Sequence, residues 1–202
     1  VLQSLKWIHC FLKSTPDSLS GTLSLQEFLS EGSRLIMTLD ASPWGLGGVL
    51  QLDGKIVSWF TSALTRHDQR IHRKRIGSAR GQQTWECLAY LVALKAWQEF
   101  WLDRRVSIAV RSDNLGALFM GAQMRSTASP LISREVALCY AEGSFEPRVF
   151  QHLPGIANGL ADVLSRLDEP GYNAGLPDEL VGIIPVVIPL RTKHYYTTLT
   201  TK

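Results

Sequence analysis

Cysteine is scarce and widely spaced in this chain of 202 residues. The three cysteines, Cys10, Cys87 and Cys139, include no Cys-x-x-Cys pair, which argues against a disulfide framework and against a thiolate zinc site. The segment Val1–Phe11 lacks the basic leader, apolar run and small-residue cleavage site of a secretory signal. We therefore expect an intracellular location, in the cytoplasm or the nucleus. Because Val and not Met stands first, we expect a fragment of a longer chain.

Long apolar runs are missing as well, since Pro185 and Pro189 interrupt the apolar stretch 181–190, and a bilayer needs about 18 or more apolar residues in succession. We therefore expect no membrane partner. Hydrophobic residues make up 45% of the chain and charged residues 19%, which is typical of a globular domain and not of a disordered one. The net charge of +3 is too small to indicate a nucleic-acid partner, so the positions of the basic residues matter more.

Composition divides the chain into three segments. Residues 1–33 place apolar residues at helical spacing before a polar break near Pro16, and we interpret them as a helical flank. Residues 34–168 alternate short apolar runs with amphipathic stretches and are the predicted domain. Residues 169–202 hold four of the nine prolines and end in a polar stretch, which favours a linker or tail over a docked extension.

Hydrophobic spacing in residues 34–168 predicts the element order βββαβααβα, an α/β fold with a five-stranded mixed sheet. The predicted strands are 35–40, 47–52, 55–60, 106–110 and 145–152, and the predicted helices are 82–102, one from about 115, 131–141 and 157–167. Asp53-Gly54 is a strong hairpin signal between the second and third strands. Gly45, Gly47 and Gly48 lie between strands and not before a helix, so we interpret them as a turn and bulge and predict no phosphate-binding loop.

Four acidic residues occupy notable positions in this order. Asp40 ends the first predicted strand and Asp113 the fourth, and the carboxyl ends of neighbouring parallel strands form sites. Glu86 lies in the first turns of the long helix, and Asp162 lies on the last helix. Singly, such residues usually cap turns or complement helix dipoles. Together they would repel one another unless cations were present, and oxygen ligands favour Mg²⁺ or Mn²⁺. Two such ions can support phosphodiester hydrolysis.

The stretch 152–166, HLPGIANGLADVLSR, resembles the end of a type 1 ribonuclease H domain of the kind fused to reverse transcriptases in retrotransposon polyproteins. The resemblance spans about residues 34–168 and includes Thr38–Ser42, Glu86 with Leu88-Ala89, and Arg111–Asn114. It implies a ribonuclease H-like fold with helices on both faces of the sheet, and a substrate that is the RNA strand of an RNA·DNA hybrid. It also implies two Mg²⁺ or Mn²⁺ cofactors, held by four catalytic residues: Asp40, Glu86, Asp113 and Asp162.

Two further residues of that stretch match positions of the family. His152 corresponds to a mobile histidine that assists proton transfer or product release, which adds it to the catalytic set, although a solvated loop histidine remains an alternative. Asn158 matches a family position and is predicted to bind nucleic acid, as is Asn114, but Asn158 can equally be a helix N-cap.

Only two helices fit between Asp113 and the fifth strand, so the basic protrusion of many cellular members is absent. Residues 66–80 lack apolar periodicity and form a predicted basic loop, which we expect to hold the hybrid, with a solvated surface loop as the alternative. The predicted nucleic-acid-binding cations are Arg66, Arg70, Arg73, Lys74, Arg75 and Arg80. His67 and His72 lack a second pair at zinc-ligand spacing. We expect Trp44, Trp59, Trp85 and Trp97 to be core residues.

The preferred hypothesis is a hybrid-specific endonuclease with a reverse transcriptase domain in cis, residues 1–33 being the end of a polymerase thumb or connection. The alternative is a catalytically inactive module that grips the template-primer duplex. A transposase or integrase would need a Glu downstream of Asp113, and Glu135 and Glu142 would leave Glu86 unexplained. A proofreading exonuclease would need Glu in place of Ser42.

Overall fold

The computed structural model describes residues 34–101, 107–143, 147 and 149–200. The predicted flank 1–33 lies outside these residues, as do Val106 and Phe145, where the fourth and fifth strands were expected to begin. The strands are β1 (Arg34–Ala41), β2 (Gly45–Leu52), β3 (Lys55–Ala63), β4 (Ser107–Ser112) and β5 (Val149–His152). The α-helices are α1 (Arg66–His72), α2 (Gln82–Ala96), α3 (Leu115–Gln123), α4 (Pro130–Gly143), α5 (Gly159–Arg166) and α6 (Thr197–Thr200).

The strands form one sheet of order β3-β2-β1-β4-β5. β1 and β3 are antiparallel to β2, whereas β4 is parallel to β1 and β5 is parallel to β4. The β2–β3 hairpin turns at Asp53 and Gly54, whose φ values of 48° and 82° match the twist of a two-residue hairpin. The predicted order βββαβααβα is confirmed, with the short helices α1 and α6 added to it.

Helices cover both faces of the sheet. α2 is buried on every side from Thr84 to Leu94, because it lies between the sheet on one side and α3 and α4 on the other. On the opposite face α5 presents Leu164, which packs with Val49 of β2 and Trp59 of β3. This is the predicted α/β architecture, a five-stranded mixed sheet with helices on both faces. Within the described part, no helix has the length and apolar character needed to cross a bilayer.

The glycines of β2 serve a purpose different from the predicted turn and bulge. They lie inside the strand, and the irregularity of pairing falls later, between Leu50 and Gln51. A Cβ at Gly47 would lie 2.4 Å from the carbonyl oxygen of Ala161, and one at Gly45 would lie 2.6 Å from that of Ser165. Glycine is needed here because the backbone of α5 rests directly on β2.

The predicted basic loop 66–80 begins with a helix. Thr65 and Asp68 form a capping box at the start of α1, each side chain accepting a hydrogen bond from the other's backbone N–H. Periodicity did not reveal α1 because the residue it buries is the acidic Asp68. After His72 the chain turns at Arg73, whose φ of 55° ends the helix.

The C-terminal segment is docked, whereas the sequence favoured a linker. Leu180 and Tyr196 are 0% exposed. Trp59 Nε1 donates to the carbonyl oxygen of Ile183, and the Val186 N–H donates to that of Trp59, both within 2.9 Å. Only a few apolar residues of this segment are buried, and for that reason its composition resembled that of a linker. Each of these buried residues packs against the folded domain.

Three of the four tryptophans expected in the core are there: Trp59, Trp85 and Trp97 are at most 7% exposed. Trp44 is partly exposed and lies over Gly77. Trp59, Trp85 and Trp97 therefore belong to the packing of the domain and are not free to stack on bases.

Candidate metal centre

Three carboxylates from distant parts of the chain meet at one end of the sheet. Asp40, Glu86 and Asp113 each contribute an oxygen to a group whose atoms all lie within 4.8 Å of one another. Asp40 and Glu86 are 4% and 5% exposed, while Asp113 is more open. The structure thus brings together three of the four acids that the sequence singled out.

The sheet topology explains the meeting. β1 and β4 are parallel neighbours with Thr38 opposite Arg111, so their carboxyl ends lie side by side. Asp40 is next to last in β1, and Asp113 directly follows β4. Glu86 comes from the second turn of α2, which packs against β1. This agrees with the rule that sites form beyond the carboxyl ends of parallel strands.

Burial and mutual repulsion disfavour the charged forms of these acids. Burial raises the pKa of Asp40 to about 7, with Asp113 and Asp162 adding to the rise and the Ser165 hydroxyl opposing it. Burial also raises the pKa of Glu86 well above its usual range, and the neighbouring Asp40 adds to that rise. Without cations, the cluster therefore holds protons near neutral pH.

Glu86 has one oxygen held and one oxygen free. Gln82 Nε2 donates to Glu86 Oε1 at 2.8 Å and also to the carbonyl oxygen of Ala41 at the end of β1. Glu86 Oε2 is buried, and it has no hydrogen-bond partner among the described residues. A buried carboxylate oxygen without a donor is costly unless a cation or water meets it. This observation, together with an all-oxygen donor set, fits a hard divalent cation such as Mg²⁺ or Mn²⁺.

Both oxygens of Asp40 are held by donors from the segment around α5. Asn158 Nδ2 donates to Asp40 Oδ1 at 3.2 Å and to the carbonyl oxygen of Leu39 at 3.1 Å, and Ser165 Oγ donates to Asp40 Oδ2 at 2.6 Å. The Asn158 side chain does not cap α5; only its carbonyl accepts from the Asp162 N–H. Asn158 thus occupies the N-cap position of α5, as the alternative expected, but its side chain makes no capping hydrogen bond and its amide faces β1 instead.

Asp162 lies near the cluster but outside the group of three. Its Oδ1 accepts a hydrogen bond from Arg166 Nε at 2.7 Å, one helical turn away. Its side chain is 38% exposed, yet its charge is close enough to raise the pKa of Asp40. The fourth predicted ligand is thus at the mouth of the site, paired with a cation of its own helix.

Two more of the predicted site residues, His152 and Asn114, form hydrogen bonds with the backbone. His152 is exposed at the end of β5, and its Nε2 lies 3.0 Å from the carbonyl oxygen of Asp113. Asn114 Oδ1 accepts from the Ala117 N–H and is the N-cap of α3. His152 therefore lies at the entrance of the site, whereas the Asn114 side chain caps the start of α3.

The basic segment 66–80 contacts the turn that follows Asp40. The Gly77 N–H donates to the carbonyl oxygen of Pro43, three residues after Asp40. All six cations except the partly buried Lys74 are exposed. None of them forms an ion pair within the part of the chain that is described. Their charges are available to a ligand in solution.

A second surface borders the site on its other side. A groove of about 820 Å³ runs between α3 and α4 and is reached from Gln83, three residues before Glu86. Phe119 lies on its wall with 59% of its surface exposed, and the groove carries the exposed cations Arg125 and Arg134. Cations beside an exposed aromatic ring and an amide suit a polyanion that also offers flat bases.

No family model and no curated protein match this chain. Among solved structures, it is similar to the ribonuclease H1 of the halophilic archaeon Halobacterium salinarum, with 23% identity and a TM-score of 0.48, over 65% of this chain and 93% of that chain. It is similar to LC11-RNase H1 in complex with an RNA/DNA hybrid, with 17% identity and a TM-score of 0.46, over 66% and 93% of the two chains.

A third similar structure is the foamy viral protease-reverse transcriptase in complex with double-stranded DNA. Identity is 16% and the TM-score is 0.37, over 76% of this chain and 26% of that one.

Sequence reasoning missed two residues that hold the carboxylates. Gln82 precedes Glu86 by four residues on one helix, a spacing at which side chains meet, so this partner was open to prediction. Ser165 is part of the motif that carries the resemblance but received no role there. Its contact with Asp40 spans 125 residues and depends on how α5 docks on the sheet.

Proposed function

We propose that residues 34–168 form a ribonuclease H domain that hydrolyses the RNA strand of RNA·DNA hybrids with divalent cations. The observation that carries the proposal is the convergence of Asp40, Glu86 and Asp113 within 4.8 Å with the buried Glu86 Oε2 left without a donor. An acidic cluster on a surface is common, but a buried carboxylate oxygen beside two more acids is costly in its charged form unless a cation meets it.

The residues present fit two Mg²⁺ or Mn²⁺ ions. Asp40, Glu86 and Asp113 would hold the buried side of the centre, and Asp162 would complete it from the mouth by turning from Arg166. When bound, such ions supply a more acidic water and charge neutralisation at the leaving oxygen of a phosphodiester. The resemblance described above supports this assignment of the four acids.

The chain's own residues prepare the site. Gln82 orients Glu86, while Asn158 and Ser165 orient Asp40, so that two ligands keep their positions before any ion or substrate binds. Asp113 and Asp162 are more exposed and remain free to adjust to the substrate. His152, at the open edge, is placed to take a proton or release one as the product leaves.

We further propose that the hybrid lies across the edge formed by the basic segment 66–80 and the groove between α3 and α4. The phosphate backbone needs cations without strict geometry, and the exposed arginines on both sides of the carboxylates meet that need. Selection of RNA would come from 2′-hydroxyl contacts in the minor groove of the hybrid.

On the same resemblance, we propose that the domain belongs to a retroelement polyprotein, with a reverse transcriptase domain in cis and residues 1–33 as the end of its thumb or connection. In that setting the RNA strand would be the template that has already been copied. Grip on the hybrid would then be shared between the two domains.

The test is cleavage of a labelled RNA·DNA hybrid by residues 1–202 with Mg²⁺ or Mn²⁺, beside the variant Asp113→Asn. We expect cuts in the RNA strand alone, loss of cleavage in the variant, and an intact DNA duplex of the same sequence. The variant removes a charge that the cations require without removing volume. Its circular dichroism without divalent cations should match that of the unsubstituted chain, which shows that the fold is kept.

Other outcomes point elsewhere. Equal cleavage of both duplexes would indicate a nuclease of another class. Cleavage by Asp113→Asn at the normal rate would refute the metal assignment. Tight hybrid binding without cleavage, under any divalent cation, would instead favour the inactive binding module.

A further inference from the structure

The serine of α5 stands out among the groups around the carboxylates. Ser165 is 0% exposed, and its Oγ lies 2.6 Å from Asp40 Oδ2. The other oxygen of Asp40 is already held by Asn158. With both oxygens engaged by donors from one segment, the plane of the carboxylate is fixed, while one of its oxygens still lies within 4.8 Å of an oxygen of Glu86 and of Asp113.

The hydroxyl of Ser165 has a choice of acceptors. Besides Asp40 Oδ2, the carbonyl oxygen of Asp162 lies 2.9 Å from Oγ, one turn back in the helix. A serine inside a helix usually donates to such a carbonyl. The shorter contact and the negative charge favour Asp40, because hydrogen bonds to ionised acceptors are shorter and about twice as strong as neutral ones.

Helix α5 is fastened to the sheet by contacts that do not involve Asp40. Thr61 Oγ1 donates to the carbonyl oxygen of Leu164 at 2.8 Å, and Ser42 Oγ donates to that of Ser165 at 2.7 Å. The close approach at Gly45 and Gly47 adds backbone packing. The Ser165 hydroxyl can therefore be removed while the helix stays docked, which separates an effect on Asp40 from an effect on folding.

We propose that Ser165 is a positioning residue, whose hydroxyl holds Asp40 in the orientation in which it binds a divalent cation. The inference rests on the proposed function, because it gives the carboxylate of Asp40 the role of a metal ligand. Ser165 does not touch the cation or the substrate; it acts through Asp40 alone. It also links the strand that carries Asp40 to the helix that carries Asp162, so the backbone positions of these two residues keep a constant separation.

The test compares Ser165→Ala with Thr61→Val in residues 1–202. Each variant removes one hydroxyl group that forms a hydrogen bond between α5 and the sheet. Only Ser165→Ala removes a donor to Asp40. Binding of Mn²⁺ is measured by calorimetry and by electron paramagnetic resonance, and thermal unfolding is followed without metal. Hybrid cleavage is then measured as a function of both Mn²⁺ and hybrid concentration.

We expect Ser165→Ala to weaken Mn²⁺ binding about tenfold, the lower end of what partners of metal ligands contribute. Its kcat should fall at low Mn²⁺ and recover at high Mn²⁺, while KM for the hybrid stays constant. Thr61→Val should bind Mn²⁺ like the unsubstituted chain, although it unfolds at a lower temperature.

Three results would overturn the inference. If Ser165→Ala binds Mn²⁺ as tightly as the unsubstituted chain, Ser165 contributes packing only, and the proposed function stands without it. If Thr61→Val loses as much affinity, the effect belongs to docking of α5. If the unsubstituted chain binds no Mn²⁺ at all, the metal centre fails and the role of Ser165 fails with it.

Discussion

Arg191 is buried against Asp68, which lies 123 residues earlier in the chain. Its Nε lies 2.9 Å from Asp68 Oδ1 and its Nη2 lies 3.0 Å from Oδ2, a two-pronged ion pair in which both side chains are at most 2% exposed. Arg191 also donates to Ser62 Oγ and to the carbonyl oxygen of Ala63 in β3. The C-terminal segment is thereby tied to α1 and to the edge strand of the sheet.

Replacing Arg191 by Ala should strongly destabilise the domain. The substitution leaves the buried Asp68 without its cation, and such losses cost about 3–5 kcal/mol. Urea unfolding of residues 1–202 measures the change. Lys193→Ala is the control, because Lys193 is exposed two residues away and its loss should change the free energy of unfolding by less than about 0.5 kcal/mol. Equal stability of the two variants would show that the segment is not a structural part of the domain.

His72 should make stability fall in weak acid. Burial lowers its pKa from 6.5 to about 4; the nearby Asp68 opposes this and Arg191 adds to it. Below pH 6.5 the unfolded chain therefore binds the proton more readily than the folded one. The contribution of neutral His72 is complete above pH 6.5 and is lost as the pH falls toward about 4, where the full pKa difference corresponds to roughly 3 kcal/mol.

Urea unfolding between pH 4 and pH 8 measures this loss of stability for the unsubstituted chain and for His72→Gln. Glutamine keeps a polar group near the Tyr196 hydroxyl, which lies 2.9 Å from His72 Nε2. The difference between the two proteins isolates His72, since the other titrating groups are common to both. We expect the variant to lose less stability on acidification. Parallel curves would show that His72 is protonated equally in both states.

Asp40→Asn should stabilise the metal-free domain while it abolishes cleavage. Burial raises the pKa of Asp40 to about 7, above its value of 3.8 in the unfolded chain, so the stability that protonated Asp40 provides is lost as the pH rises through about 7. At pH 8 the variant should be more stable by roughly 1–3 kcal/mol, and near pH 4 the gain should vanish. Unfolding in the presence of a chelator at both pH values measures this.

Addition of Mg²⁺ provides the second arm of the same experiment. A ligand that binds only the folded state raises its stability, so Mg²⁺ should stabilise the unsubstituted chain at pH 8 and have little effect on Asp40→Asn. Asp168→Asn, at an exposed residue just after α5, should behave like the unsubstituted chain. Equal stabilisation of all three proteins by Mg²⁺ would contradict binding at Asp40.

Substituting Arg73, Lys74 and Arg75 by Ala should weaken hybrid binding and reduce its dependence on salt. Each phosphate contact that is lost lowers the slope of log affinity against log salt by roughly 0.9. Binding of a fluorescent hybrid at several salt concentrations measures the slope. Lys55→Ala is the control, because Lys55 is exposed at the start of β3. It lies at the end of the sheet that is farther from the carboxylates. An unchanged slope in the triple variant would exclude this segment as the grip.

Parts of the site were open to prediction from sequence, and others were not. Asp40 and Asp113 were found because each follows a short apolar strand, and parallel strands bring their ends together. Glu86 was found from its place on an amphipathic stretch. The ion pair of Asp162 with Arg166 could also have been predicted, because the two residues are four positions apart on one helix. The sequence alone does not show whether Asp162 pairs with this arginine or joins the other acids.

The amino-acid sequence by itself determined the element order, the hairpin at Asp53-Gly54 and the placement of acids at strand ends, because these depend on backbone preferences and periodicity over a few residues. Tertiary structure decided which donors hold the acids and that the C-terminal segment is docked. The contacts of Ser165 with Asp40 and of Arg191 with Asp68 join residues more than a hundred positions apart. Such contacts exist only after helices and strands have packed, since packing removes water and leaves each buried polar group to the partner it meets.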